Sequence, residues 1–316
     1  MTIPSTTLRA TLLLLCLLLA PGFAWAAAPA QTNYASAEEA VSGLIDAARS
    51  SNPARLRTVL GPGSEKLIDS GDRYADTESR QWFVNAYQEQ HALSETAPDR
   101  MVLTVGKDPW PMPIPVVKAN GRWHFDSAAG AQELVNRRIG RNEIAAIRTA
   151  LAYVDAQVAY LAGTDTATSG KGEYAQRFVS QKGKRDGLYW PAEPDAADAS
   201  PLAQVIADAR EHGYPVDVAP TKPTPYQGYL FRILKAQGPN AAGGAFGYIA
   251  DGRMTKGFAL VAWPAIHGSS GVMTFVVNQD GVVYQKDLGQ RTATLATAMT
   301  RFDPDITWAR IDITGQ

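Results

Sequence analysis

Cysteine is almost missing from this chain: its 316 residues hold one, Cys16. That residue stands in an apolar run, Leu12 to Ala20, which follows Arg9 and precedes Pro21-Gly22 and the small-x-small triplet Ala24-Trp25-Ala26. A positive start, a short apolar stretch and such a triplet read as a cleaved secretory signal over residues 1–26. The run is shorter than the ~20 apolar residues of a spanning helix, so no retained anchor is expected. Leucines rather than a small residue precede Cys16, which argues against lipidation. Cleavage after Ala26 leaves a chain without thiols, excluding disulfides, cysteine metal sites and thiol catalysis together. Periplasmic or secreted location follows as the expectation, with a core that must hold the fold unaided.

Charge of one sign is lacking as well. Thirty Lys+Arg face 31 Asp+Glu, for a formal net charge of -1. Nothing in that balance draws the chain to nucleic acid or anionic lipid. The densest basic group, Lys182, Lys184 and Arg185, reads as a solvated loop. Histidines are few: His91, His124, His212 and His267. None has a carboxylate or second histidine at metal-ligand spacing, and H-E-x-x-H is absent. His267 stands beside Gly268-Ser269-Ser270-Gly271, which raises a serine–histidine pair, yet G-x-S-x-G is not spelled and a glycine-rich connection is the simpler reading. Gly238 to Gly244 is followed by a strand pattern rather than the helix a phosphate cradle opens, so it reads as a hairpin loop. Asp303-Pro304-Asp305, Asp280 and Asp287 fall short of the roughly six to eight oxygens calcium takes. No catalytic set, metal or cofactor is expected.

What the chain does contain is a globular composition, 45% apolar and 19% charged, with length for about two domains. Ser36-Ala37-Glu38-Glu39 is a capping box ahead of Val41, Leu44, Ile45 and Ala48 at helical spacing. Asn52-Pro53 opens a second helix. A third is predicted from about Glu78 to His91, with Trp82, Phe83, Ala86 and Tyr87 inward. The period then changes to two, with strands at 101–105 and 114–117 and an Asn120-Gly121 hairpin into 122–125. Helices followed by a curved antiparallel sheet resemble the nuclear-transport-factor-2-like, or SnoaL-like, cone, over residues 34–130.

Beyond it, Asp126-Ser127 caps a helix to Gly140, and Asn142 caps a longer one. Ile144, Ile147, Leu151, Val154, Val158 and Leu161 recur there at spacings of three and four, predicting a buried apolar seam. Residues 163–172 and 195–200 read as loops, and Ser200-Pro201 as a further helix start. From Tyr226 the chain is mostly β, with strands at 228–234, 258–263, 272–277 and 282–286, the last two joined by Asn278-Gln279-Asp280-Gly281. A long helix, a variable loop and an antiparallel meander, over residues 131–316, resemble a pilin or pseudopilin head in topology. This helix starts behind another domain, so filament function does not carry over.

Four stretches resemble one bacterial exported family, domain of unknown function 2950: DPWPMPIPVV with GRWHFD; RRIGRNEIAAIRTALAYVDAQVAYL; YAQRFVSQKGKRDGLYWP; and the meander with FDPDITW. The resemblance implies an exported bacterial protein without an assigned reaction. Members often carry an aspartate-rich loop before YAQRF. Here that loop, 163–170, has one acid, Asp165, so this chain departs from the pattern where a cation would sit.

The expected fold class is α+β: cone-like helices plus a curved antiparallel sheet, then a long helix on an antiparallel β meander. The expected function is a non-catalytic binding or envelope-assembly module, its partner an envelope protein or small ligand. Arg185, Asp186, Tyr189 and Trp190 join aromatic surface to charge in one loop, the composition of binding hot spots. Two alternatives are an enzyme using the N-terminal cone as a pocket, lined by Asp108, Trp110, Tyr87 or His124, and a pilin-like assembly subunit.

Overall fold

Four helices, a first antiparallel sheet, a long helix and a second antiparallel sheet follow one another among the described residues, in an α+β fold. The computed structural model describes residues 30–164, 172–191, 200–216 and 224–312. The signal segment 1–26 and most of the loops expected at 163–172 and 195–200 lie outside the described residues.

The described residues begin with four helices: α1 (Ala37–Arg49), α2 (Pro53–Leu60), α3 (Glu65–Ile68) and α4 (Arg73–Glu89). The caps are local. Ser36 Oγ accepts from Glu39 N at 3.1 Å, while the Glu39 carboxylate reaches back to Ala35 N rather than Ser36 N. Asn52 Oδ1 accepts from Ala54 N, with Pro53 at the first helical position. Asp72, 1% exposed, caps α4 by accepting from Tyr74 N and Ala75 N, so that helix begins five residues before the predicted start.

The first sheet holds β1 (His91–Ala97), β2 (Arg100–Val105), β3 (Trp110–Pro111), β4 (Val116–Ala119) and β5 (Arg122–Phe125). Its order is β1-β2-β4-β5, with β3 on β2. Strand β1 went unpredicted because its residues are nearly all exposed and carry no alternation to read. The hairpin at Asn120-Gly121 has positive φ at both positions, 52° and 76°, as a two-residue turn demands. Leu103, Val105, Ile114, Val116 and Phe125 pack with α1 and α2 into one core.

A single helix, α5 (Ser127–Thr164), runs for 38 residues. Two helices divided near Gly140 and Asn142 were predicted, and the structure corrects this. Asn142 does not cap: its amide donates to Ser270 O at 2.9 Å, a tertiary bond. Gly140 costs about 1 kcal/mol relative to alanine in a helix, too little to stop one anchored on both sides. The predicted seam is corrected in part: Val154 is buried, and Ile147 and Leu151 are half-buried against the second core. Ile144 and Val158 are 39% and 55% exposed, whereas Ala146, Ala150, Tyr153, Ala156, Gln157 and Tyr160 are buried. Alanines allow the helix to approach the sheet closely, and the polar tips that come with them find partners. Gln157 Nε2 donates to Ala175 O, and its Oε1 accepts from Ala175 N, both at 2.8 Å. Near its start, a Cβ on Gly130 would lie 2.1 Å from Pro113 O, so only glycine lets α5 meet that loop.

After α6 (Ala203–Glu211) comes β6 (Tyr229–Leu234), then the two-residue pairs β7 (Ala236–Gln237) with β8 (Phe246–Gly247) and β9 (Ile249–Ala250) with β10 (Arg253–Met254). Strands β11 (Ala259–Pro264), β12 (Met273–Asn278) and β13 (Tyr284–Asp287), helix α7 (Thr292–Ala298) and β14 (Ala309–Arg310) complete the chain. The second sheet runs β14-β13-β12-β11-β6, every pair antiparallel. All six residues of β11 are buried, and successive side chains point to opposite faces, so the sheet is covered on both sides. The second core gathers α5 and this sheet around Tyr153, Tyr229, Phe258, Leu260 and Phe275. Gln31–Gln316 forms one compact unit, and α5 serves both cores, through Ala131 in the first and Ala146 to Tyr160 in the second. No helix among the described residues is long and apolar enough to cross a membrane.

Candidate functional site

Between α1, α2, α4 and α5 lies a cavity of about 670 Å³. Its apolar wall comes from Leu44 and Ala48 of α1, Leu56 and Leu60 of α2, Ile68 of α3 and Met112 after β3, all at most 6% exposed. Two helix faces close the sides. On α4, Asp76, Ser79, Arg80 and Phe83 recur at i, i+3, i+4 and i+7; on α5, Leu134, Arg137, Arg138, Arg141 and Asn142 share one face in the same way. His212, Tyr214 and Gln227 reach in from the segment beyond α6. Trp82 and Trp110 border the cavity, their rings edge-to-face at 5.6 Å, with the Arg137 guanidinium 5.9 Å from the Trp110 ring. Trp82 was predicted inward and is instead 51% exposed while lining the cavity.

At one end sits a buried ion pair. Arg138 and Asp76 are each 8% exposed, with Nη1 and Oδ1 3.8 Å apart. Arg138 Nε donates to Ser269 O at 3.1 Å, Nη1 to Leu67 O at 3.0 Å, and Nη2 to Lys66 O and to Ser269 Oγ. Asp76 Oδ2 accepts from Ser70 N at 3.0 Å. Burial pushes the Asp76 carboxyl up, opposed by the Ser70 bonds and by Arg138 and Arg80. Burial likewise lowers Arg138, against the pull of Asp76. Behind this pair, Asp72 Oδ2 accepts from Tyr214 OH at 2.8 Å and from Gly228 N at 2.7 Å. One carboxylate thus caps α4 and fastens β6's approach to it. Desolvation, then the Asp72 charge, drives the Tyr214 phenol far above its ordinary range and keeps it a donor. His212 Nδ1 lies 2.6 Å from Asp208 O, and its Nε2 lies 3.3 Å from Glu78 Oε1.

The residues singled out in the sequence lie elsewhere. Arg185 is exposed, its guanidinium 5.3 Å from the Trp190 ring. Asp186 accepts from Gln181 N and lies 3.5 Å from Arg177 Nε. Tyr189 is 7% exposed, belongs to the second core, and its hydroxyl accepts from Arg210. Trp190 is half-buried against that core with its Nε1 unpartnered. Of the four residues proposed to line a cone, Trp110 borders the cavity; Tyr87 stacks on His91 at 3.8 Å, Asp108 is exposed, and His124 sits in β5 opposite Val117.

His267 bonds Asp287 at 2.8 Å rather than a serine. The Ser269 hydroxyl is engaged with Arg138 and Lys66 O, and that of Ser270 with Ile266. The glycine-rich loop at 238–244 is occupied by the chain's own Asp303, which accepts from Asn240 N at 2.8 Å. Asp305 is bound by Thr307, and Asp280 by Asn278.

Sequence reasoning missed Asp72, Asp76, Arg80, Arg138 and Arg141. The signal was present: acid, acid and arginine four residues apart on α4, and an Arg-Arg-x-x-Arg group in phase with Leu134 on α5. Among the described residues, no group of three histidine, cysteine, aspartate or glutamate side chains is placed to hold a metal.

Compared with known proteins, residues 31–311 match the family described as "Protein of unknown function (DUF2950)". No curated protein and no solved structure matches the chain.

Proposed function

This chain belongs to the DUF2950 family of proteins of unknown function, and we propose that it is an exported, non-catalytic binding protein whose small-molecule site is the cavity between α1, α2, α4 and α5. The observation that carries the reading is the cavity itself. Its volume of about 670 Å³ falls within the roughly 300–1,000 Å³ of ligand sites, and its lining joins an aliphatic wall from α1 and α2 to charged and polar side chains of α4 and α5. Export rests on residues 1–26, with the periplasm or the cell exterior as destination.

The Asp76–Arg138 pair supports binding over catalysis. A working acid or base needs a proton path to substrate, whereas Arg138 commits its donors to three backbone carbonyls and a serine. Such a pair braces a wall. A second contact, with an envelope protein at Arg185, Asp186, Tyr189 and Trp190, is supported by the exposed stack of Arg185 on Trp190.

Fluorescence titration with the neutral apolar dye N-phenyl-1-naphthylamine tests the cavity. One saturable site is expected in the wild type. It should vanish in Ala75→Phe, which places a ring in the space that Ala75 lines, while the melting temperature holds. Undiminished dye binding in that variant would refute the assignment.

A further inference from the structure

The cavity is chemically lopsided. Four arginines line it, and two are already answered. Arg137 Nε bonds Glu133 at 2.8 Å, and Arg138 is held by Asp76 and the backbone. The other two are not. Arg141 is exposed and makes no hydrogen bond or ion pair among the described residues. Among the described residues Arg80 donates to Thr77 Oγ1 alone, and its Nε is buried without a partner. An arginine that lines a cavity with most of its five donors uncommitted can take an acceptor from a ligand.

Both unanswered cations flank the ion pair: Arg80 lies one turn beyond Asp76 on α4, and Arg141 one turn beyond Arg138 on α5. Glu78, the other acid lining the cavity, is turned to His212 at 3.3 Å. The lining from α1 and α2, by contrast, is aliphatic: Leu44, Ala48, Leu56 and Leu60.

On the binding role argued above, we propose that the cavity takes a single-chain amphiphile with an acidic head, its carboxylate or phosphate between Arg80 and Arg141 and its chain along Leu44, Leu56, Leu60 and Met112. Guanidinium groups suit this head because their planar forks match carboxylate and phosphate oxygens in pairs. An apolar chain gains from every part of the wall it covers. Trp82 and Trp110, apolar bodies with a polar edge, suit the junction between the two.

Calorimetric titration of the purified protein with dodecanoate, dodecyl phosphate, dodecanol and dodecyltrimethylammonium, all below their micelle concentrations, tests this. Either acidic amphiphile should bind at least tenfold more tightly than dodecanol, and whichever binds tighter names the head; the ammonium should not bind. Arg141→Gln and Arg80→Gln should each weaken the acids about tenfold and leave dodecanol unchanged. Arg141 has no hydrogen-bond or ion-pair partner among the described residues to lose, so its variant keeps the test readable if Arg80→Gln is unstable. Equal affinity for dodecanol and dodecanoate, or full dodecanoate affinity in Arg141→Gln, overturns the ligand class. If none of the four binds while the neutral dye still saturates, the ligand class falls alone. If the dye fails as well, the binding role falls with it.

Discussion

Arg138→Met is the sharpest probe of how α5 is locked to the rest of the fold. The side chain is 8% exposed and joins three chain segments: Lys66 and Leu67, Asp76, and Ser269. Methionine keeps much of the volume and none of the donors. Lys66 O retains the Ser269 hydroxyl, but Leu67 O and Ser269 O lose the Arg138 donor. Buried acceptors left unpaired cost about 1–3 kcal/mol each.

The larger loss is the Asp76 charge, since removing one partner of a buried pair typically costs about 3–5 kcal/mol. These terms overlap, so the expected loss is about 3–5 kcal/mol in urea unfolding followed by tryptophan fluorescence at pH 7. The sign with pH follows from Asp76. Burial already holds its carboxyl above the ordinary range, and without Arg138 it rises further. A raised carboxylate destabilises the fold only while ionised. The gap between variant and wild type should therefore narrow as pH falls from 7 towards 5 and Asp76 takes up a proton. Asp76→Asn in the Arg138→Met background should recover part of the loss at pH 7. A gap under about 1 kcal/mol, or one that neither narrows with acid nor responds to Asp76→Asn, would refute the reasoning.

His212 should confer stability on the acid side. Its raised pKa comes first from the Asp208 carbonyl, with burial opposing and Glu78, Glu211 and Asp208 assisting. The benefit is full below the unfolded value near ~6.5 and fades as pH rises through the folded one. The difference in melting temperature between wild type and His212→Gln should be larger at pH 5.5 than at pH 8, and a flat difference would sink the assignment. At the other surface, Arg185→Ala should remove envelope-partner capture at unchanged melting temperature. Trp190→Ala should also lower the melting temperature by several degrees, since that ring packs on the core. A stable Arg185→Ala protein that still captures its partner would take the segment out of binding.

Much of the fold was legible where the cause is local. Ser36, Asn52-Pro53 and Asn120-Gly121 announce their caps and turn because the chemistry is complete within a few residues. The meander strands emerged from their apolar runs to within two residues. The errors arise where distant groups decide. Asn142 looks like a cap until Ser270, far along the chain, takes its amide. The aliphatic seam of α5 is buried only at Val154, with Ile147 and Leu151 half-buried, because close approach to the sheet brings alanine, tyrosine and Gln157 into the same face. The site was hidden for the same reason. Asp76, Arg80 and Arg141 show helical spacing in the sequence, but nothing there says that the two arginine-bearing faces confront each other across a void.

The continuity of α5 makes its length a matter of phase. At 3.6 residues per turn, each residue added or removed rotates everything downstream by about 100°. Leu134 and Arg138 answer to the first core and its cavity, Tyr153, Gln157 and Tyr160 to the second. A one-residue deletion between them would keep both sequences intact, yet swing the second set away from its sheet. The shortest shift that brings the azimuth back to within about 20° is about seven residues, near two whole turns, and it displaces the cores by about 10 Å along the axis. The stretch from Arg138 to Tyr153 is thus a ruler, admitting substitutions freely on its outer face while forbidding any change in count.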